Sequence, residues 1–323
     1  MKKHIALIIL LAIAGIAKSQ SGTPLAQYSG NQIIYNPGFA GSYDLFSINL
    51  SVRHLWIGIP NSPTLISFNA HAPFQNLRNA IGFVYQRETF GPQSVHTVNA
   101  TYAHKIYFGS TSFLSLGVQG GLFNSVTNWN MVDDVWDEDD PLWGQGRQRT
   151  NRFDMNLGAY FQAEDFYLGA SVRHLTSPRF DEVTVQVSGI DDRWYSRVPR
   201  QFFFMGGYNF RLTDELDLRP HVLMRYKNNV PFTFSASVNL VYDNRFFVGT
   251  NFMTGQNAVS LFVAAEIIEG LRVGYSFDMN FGVLRPFQRG SHEISINYAL
   301  HFWGGRHGME KDIERFIRRN WQW

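Results

Sequence analysis

Apolar and polar residues alternate along much of this chain, and this pattern favours β-strands. In the segment DLFSINLSVRH, Asp44 to His54, every second residue from Phe46 to Val52 is apolar, and the residues between them are polar. A period of two is that of a β-strand with one apolar and one polar face. In a soluble sandwich the apolar face forms the core. In a membrane barrel it meets lipid, and the polar face lines the lumen.

The same alternation returns along the chain and predicts about fourteen strands. They cover residues 44–54, 63–71, 79–88, 95–105, 111–121, 151–161, 165–174, 200–211, 216–227, 231–242, 245–254, 256–267, 271–280 and 291–302. Their number is even, and each is near the roughly 9–11 residues of a membrane-spanning strand. The expected fold is all-β: a transmembrane antiparallel β-barrel over residues 44–302.

The lengths of the predicted connections support a membrane barrel. If the chain starts in the periplasm, the two longest connections, 122–150 and 175–199, both fall on the outer side, and most brief ones fall inside. The short connections at 228–230 and 255 are exceptions. Bacterial outer-membrane barrels have short periplasmic turns and longer extracellular loops, whereas a soluble sandwich has no reason to sort its loops in this way.

The two ends of the chain carry separate predictions. Residues 1–19 have a basic start and an apolar run too short to span a bilayer, which is typical of a removable signal peptide. Residues 20–43 are expected to form a short N-terminal periplasmic segment. Residues 303–323 form a predicted periplasmic C-terminal tail with a basic, amphipathic helix. This tail could rest on lipid, dock a partner or fold into the lumen.

No residue is assigned to catalysis, to a cofactor or to a metal. The 28 Lys and Arg against 26 Asp and Glu give a net charge of +2, which provides no basic face for nucleic acid. An enzyme is not expected, because no G-x-S-x-G elbow, H-E-x-x-H pair or Walker loop occurs. The acidic run from Asp133 to Asp140 could bind Ca²⁺, but a solvated loop is the favoured interpretation, because the spacing does not match an EF-hand.

The polar strand faces carry charges of both signs into the predicted lumen. They are Arg53, Asp154, Arg173, Asp217, Arg219, Arg225, Arg272, Asp278 and Glu293. Ion pairs across the lumen and isolated, hydrated charges are both compatible with this pattern. The chain has no cysteine, so its stability must come from burial and hydrogen bonding, and a closed barrel satisfies its backbone groups without an open edge.

Short motifs in the first half of the chain carry a family resemblance. Gln27-Tyr28 is a Gln-aromatic pair, Asn36 to Gly41 read NPGFAG, and Arg53, Trp56, Gly58 and Pro63 stand in RHLWIGIPNSP. Weaker matches are Gly82, Gly91-Pro92, YAHKI at 102–106, LSLGVQGGL at 114–122, Asp140-Pro141 and FYLGASVRHL at 166–175. In these residues the chain resembles the PorP/SprF family of type IX secretion system membrane proteins. Gly38 replaces the family's usual Ala, and Arg173-His174 stands where the family often has Pro.

The resemblance implies a non-enzymatic barrel in the cell outer membrane that works with the type IX secretion system. The implied role is secretion or surface anchoring of specific cargo, such as the adhesins of gliding motility. The implied partners are outer-membrane lipid, type IX components, the secreted cargo or adhesin and a periplasmic peptidoglycan-binding protein. The alternative interpretation is an outer-membrane transporter for small hydrophobic molecules. A hydrolase ranks third, since no catalytic trio is evident.

Two substitutions test the facing of the first strand. On the barrel interpretation Leu50→Arg places a charge in lipid and is expected to destabilise the barrel by about 2–4 kcal/mol at the midplane. Ser51→Arg is expected to be much milder, because a lumen lined by polar groups would admit the charge.

Overall fold

The computed structural model describes residues 24–43, 45–109, 111–131, 146–187, 190–228 and 230–300, with the backbone alone over 180–196. Its strands are β1 Phe46–His54, β2 Thr64–Pro73, β3 Asn79–Phe90, β4 Gln93–Phe108, β5 Ser112–Asn128, β6 Arg147–Gln162, β7 Phe166–Arg173, β8 Arg179–Val187, β9 Ile190–Arg197, β10 Gln201–Tyr208, β11 Phe210–Arg211, β12 Leu216–Lys227, β13 Val230–Tyr242, β14 Phe246–Met253, β15 Ala258–Ile268, β16 Leu271–Asn280 and β17 Ser291–Leu300. One helical turn, α1, covers Gln32–Tyr35, and short 3₁₀ turns cover Tyr28–Gly30, Pro37–Phe39, Trp129–Met131 and Arg285–Phe287. None of the described helices is long and apolar enough to cross a membrane.

The strands close into a single antiparallel barrel. β1 to β7 pair in chain order, β7 pairs with β10, β10 pairs with β12, β12 to β17 again pair in chain order, and β17 pairs with β1. The two-residue β11 also pairs with β12 and continues β10 beyond Asn209, so β10 and β11 occupy one position in the wall. The barrel therefore has fourteen positions, which confirms the predicted strand number and the antiparallel arrangement.

Two features of the outer side differ from the prediction. β5 runs to Asn128, and β6 begins at Arg147, so the predicted connection 122–150 shortens to residues 129–146. Antiparallel pairing continues past Gly120 and Gly121, where the sequence pattern ended the strand. The predicted loop 175–199 contains the hairpin β8–β9, which forms a separate two-stranded sheet.

The burial pattern is inverted relative to a soluble protein. In β1 the polar residues Asn49, Ser51 and Arg53 are at most 2% exposed, whereas Leu50 and Val52 are 39% and 41% exposed. The other strands repeat this pattern with outward Phe, Leu, Ile and Val side chains. An apolar outer band around a polar interior is the surface that a membrane barrel presents to lipid. This answers the question raised by DLFSINLSVRH in favour of the membrane barrel.

The expected periplasmic position of residues 20–43 is wrong for the described part, residues 24–43. These residues lie inside the barrel, where Leu25, Ile33, Ile34 and Phe39 are at most 2% exposed. The apolar side chains of the segment are removed from water there, which stabilises the folded state. The expectation followed from counting strands back from the outer loops. This count determines on which side of the membrane β1 begins, but it does not determine where the chain before β1 lies. Residues 1–19 and 303–323 lie outside the described residues, and their assignments stay predictions.

Candidate functional site

The barrel interior is the candidate functional site, and residues 24–43, here called the plug, occupy it. Pro24 lines a cavity in the outer half of the barrel, and Tyr43 lines one at the inner mouth, where the chain enters β1. All plug side chains except Pro24 and Gly30 are buried. The plug therefore crosses most of the lumen from the outer to the inner half.

A buried charge network anchors the outer end of the plug. The Glu293 carboxylate accepts hydrogen bonds from the backbone N–H of Ala26 at 2.7 Å and of Gln27 at 3.2 Å. It also accepts one from Arg53 at 3.0 Å, and Arg53 donates further bonds to Asp278 and to Gln256. Arg53, Asp278 and Glu293 are fully buried. A buried arginine is stable only when paired and hydrogen-bonded, and two carboxylates meet that need here.

Amide and hydroxyl side chains of the wall form hydrogen bonds with the plug along its length. The Asn251 amide donates to the carbonyl oxygen of Ala26 at 2.9 Å, and the Ser171 hydroxyl donates to that of Tyr35 at 2.6 Å. The side chain of Asn31 accepts from Asn69 at 2.9 Å and donates to Ser51 at 3.3 Å. Buried backbone groups need hydrogen-bond partners. The polar strand faces supply these partners to the plug, and this contact surface is here called the seat of the plug.

The NPGF turn rests on glycines of the wall. The Asn36 side chain accepts from the N–H of Gly38 at 2.9 Å and donates to the carbonyl oxygen of Ala159 at 2.9 Å. Gly117 and Gly158 pair directly across β5 and β6 beneath this turn. A Cβ atom on Gly158 would lie 2.0 Å from Asn36 Oδ1, and one on Gly117 would lie 2.3 Å from the carbonyl carbon of Pro37. Glycine inside a strand marks such close backbone approach.

Aromatic rings pack around the inner part of the plug. The Phe39 ring lies edge-on to Tyr43 and Tyr160, both at 5.2 Å between centroids, and to His71 at 5.5 Å. Tyr160 in turn stacks on Tyr167 at 5.4 Å. The edge-on and offset arrangements are those that aromatic pairs prefer. The ring cluster is buried between the polar layers of the lumen.

The remaining predicted lumen charges face inward, and most of them have described partners. Asp217 pairs with Arg219 at 2.7 Å, Asp154 contacts His174 at 2.6 Å, Arg173 donates to Gln86 at 3.2 Å, Arg225 donates to Thr233 at 3.2 Å, and the Arg272 guanidinium lies 3.9 Å from the Phe247 ring centroid. Ion pairs thus join Arg53 to Asp278 and Glu293 and Arg219 to Asp217, whereas Arg173 and Arg225 hydrogen-bond neutral side chains. The hydrated-charge interpretation assumed an open lumen, and the plug removes that assumption.

Cavities lie on both sides of the plug. The outer cavity of about 200 Å³ lies between the plug and the outer ends of β2, β3, β7, β10 and β12, with Ile34, Tyr35 and Phe203 among its lining. The inner cavity of about 580 Å³ lies between Gly30, Tyr43 and the turns that precede β14 and β16. The acidic run 133–140, the candidate calcium site, lies outside the described residues.

The signals that the sequence analysis missed lie on the polar strand faces. Gly117 and Gly158 interrupt these faces with glycine, and His71, Tyr160 and Tyr167 place rings at positions expected to meet water. Aromatic rings and glycines on a strand face that points into the lumen together indicate that another segment packs against that face. The charges were identified from the same pattern, but the plug that they hold was not.

The chain is similar to a known family of membrane proteins. The family model described as type IX secretion system membrane protein PorP/SprF matches residues 17–298. The motifs NPGFAG and RHLWIGIPNSP thus provide the wall-seated turn of the plug and the buried Arg53. No curated protein sequence matches the chain.

Solved structures share the architecture. The toluene transporter TbuX of Ralstonia pickettii has a TM-score of 0.53 and 12% identity over 89% of this chain and 98% of that chain. The CymD monoaromatic hydrocarbon channel has a TM-score of 0.50 and 8% identity over 90% of this chain and 96% of that chain. At such identities the likeness shows the fold alone.

Proposed function

We infer that this chain, which belongs to the PorP/SprF family of type IX secretion system membrane proteins, is a closed, non-enzymatic scaffold in the outer membrane. In this proposal it supports secretion or surface anchoring of specific cargo, such as gliding adhesins. Its outer loops contact the cargo, and its inner turns link to periplasmic machinery, including a peptidoglycan-binding protein. The barrel holds these components together without conducting them.

The seat of the plug is the observation that carries this proposal. A conduit needs a lumen that empties, whereas this lumen is occupied by a segment with bonds to several strands of the wall. Glu293 and Asn251 hold its outer end, and Ala159 and Gly158 hold its NPGF turn. Each bond to a buried charged group is worth about 1.5–3 kcal/mol, so emptying the lumen would be costly.

A transporter for small hydrophobic molecules is the second candidate function. The outer cavity, with Ile34, Tyr35 and Phe203, offers apolar surface to a small ligand. The fold is also that of TbuX, a toluene transporter, although the low identity limits this likeness to architecture. The plug beneath the cavity disfavours passage through the lumen.

Affinity purification separates the two functions. The tagged full-length chain is recovered from detergent-solubilised outer membrane, beside an unrelated tagged barrel from the same membranes as control, and bound proteins and lipids are identified by mass spectrometry. The scaffold predicts enrichment of type IX components and of one large surface protein. Recovery of the barrel alone, carrying fatty acid or another small apolar molecule, would contradict the scaffold and support the transporter.

A further inference from the structure

The inner mouth of the barrel carries a cavity that the proposed function does not use. The cavity of about 580 Å³ is lined by the rings of Tyr43 and Tyr298, by Leu45 and by the carboxylates of Asp243, Glu266 and Glu269. Glu266 accepts a bond from the N–H of Gly270 at 3.1 Å, which holds its turn. Asp243 and Glu269 are exposed. The cavity thus combines a floor of tyrosine rings and one leucine with an acidic edge.

A second groove continues this acidic edge along the inner rim. It shares Asp243 and Asn244 with the cavity and is also lined by Asp214, Glu215 and Asp217. Together the cavity and the groove, here called the inner rim, present six carboxylates. The guanidinium groups in the same lining are Arg211, Arg245 and Arg272. Arg219, Arg245 and Arg272 lie within 3.9 Å of Asp217, Asp243 and Glu266 in that order, so Asp214, Glu215 and Glu269 supply the excess of negative charge. The inner rim therefore has a negative balance and suits a basic segment that also carries apolar side chains.

The chain itself supplies such a segment next to the inner rim. Strand β17 ends at Leu300, and Tyr298 and Ala299 line the cavity, so residues 301–323 begin at its edge. The stretch 315–323, RFIRRNWQW, combines three Arg with one Phe, one Ile and two Trp and has no Asp or Glu. Residues 301–314, which connect β17 to this stretch, span about 20 Å as a helix and about 45 Å when extended.

We propose that residues 315–323 dock on the inner rim of the same molecule. The arginines meet Asp214, Glu215 and Glu269, and the aromatic side chains cover the floor at Tyr43 and Tyr298. A covalently linked segment acts at an effective concentration in the millimolar range, so weak complementary contacts suffice. Among the three destinations open to the tail, the rim is favoured over lipid because its charge and its position match the segment.

Engineered cysteines test the proposal on the full chain, because the sequence has no cysteine of its own. Glu269→Cys with Ile317→Cys is compared with Thr111→Cys with Ile317→Cys, purified in neutral detergent and oxidised. Thr111 lies on the turn between β4 and β5, on the far side of the barrel mouth. Docking predicts at least a fivefold higher disulfide yield for the first pair. Equal yields, or no disulfide in either pair, would overturn the proposal.

Charge reversal supplies the second measurement. Asp214→Lys with Glu215→Lys is expected to lower the yield of the Glu269→Cys pair at least fivefold, and adding Arg318→Glu with Arg319→Glu is expected to restore it. Gln75→Lys, on the inner turn between β2 and β3, adds a positive charge away from the rim and should leave the yield unchanged. Tail protection from trypsin that develops only with vesicles containing phosphatidylglycerol would assign the segment to lipid and overturn the proposal. Protection that develops only with another periplasmic protein would also overturn it.

Discussion

Leu50 and Ser51 are adjacent in the chain and have opposite surroundings. Leu50 lies at the centre of β1 and points outward, whereas Ser51 is fully buried against the plug. Leu50→Arg would place a guanidinium in hydrocarbon, and we expect it to lower the free energy of unfolding by about 2–4 kcal/mol. His54→Arg, at the outer end of the same strand, should cost about 0–1 kcal/mol. Urea unfolding in phosphatidylcholine vesicles measures both, and equal costs would show that the outer face does not meet lipid.

Ser51 also shows that the two-residue period predicts which way a side chain faces but not what that side chain contacts. The alternation predicts that Ser51 faces inward, and this is confirmed. The expectation that Ser51→Arg is mild assumed water in the lumen, but the side chain of Asn31 lies 3.3 Å from the Ser51 hydroxyl. An arginine there would displace the plug. Facing is a local property that one strand determines, whereas the filling of the lumen depends on a segment far along the chain.

Glu293 is the residue on which the outer end of the plug most depends. Glu293→Gln removes the charge and one of the two acceptor oxygens that receive Ala26, Gln27 and Arg53. Because hydrogen bonds to charged groups are worth about 1.5–3 kcal/mol, we expect a loss of that order in the free energy of unfolding. Earlier proteolysis near the N-terminal end of the plug should accompany it.

Glu164→Gln is the matched control for this change. Glu164 lies on an inner turn, half exposed, with Arg211 at 3.7 Å, so its loss should cost at most about 1 kcal/mol. The same urea titration and limited proteolysis apply to both variants. Equal behaviour of the two would mean that Glu293 does not hold the plug.

At the scale of elements, the plug and its wall fit through glycine. We expect Gly158→Val to force Asn36 and the NPGF turn away from β6, since a Cβ there would overlap Asn36 Oδ1. Overpacking of this kind costs about 1–3 kcal/mol. Gly120→Val is the control, because a Cβ at Gly120 meets only the ring edge of Phe153 at 3.3 Å. Hydrogen exchange of residues 24–43 should rise in the first variant alone, and unchanged exchange would argue against the seat.

The strands were the elements that the sequence could predict. Their alternation is written in consecutive residues, so all fourteen barrel positions follow from local patterns. β8 and β9 were not predicted, because the alternation there covers only VTVQV at 183–187, less than the roughly 9–11 residues of a spanning strand, and the hairpin forms apart from the barrel wall. The plug has no regular period, since it consists of short turns whose contacts come from many strands. Only the glycines and aromatic rings on the lumen face of the strands indicated that the plug packs there.

The whole molecule combines a transmembrane wall with a filled interior. The fold is shared with hydrocarbon channels of 12% identity or less, while the family model places the chain with the type IX secretion system. Architecture alone therefore does not distinguish a conduit from a scaffold. The difference between them is whether the plug has to move during function.

Locking the plug in place tests this central claim most directly. The side chains of Ser29 in the plug and Asn239 in β13 lie 3.5 Å apart, and the chain has no cysteine. Ser29→Cys with Asn239→Cys is joined by a disulfide or by dibromobimane in living cells, each single variant serves as control, and export of type IX cargo is measured. The scaffold predicts unchanged export with the plug locked. Export that stops on locking and returns when the disulfide is reduced would contradict it.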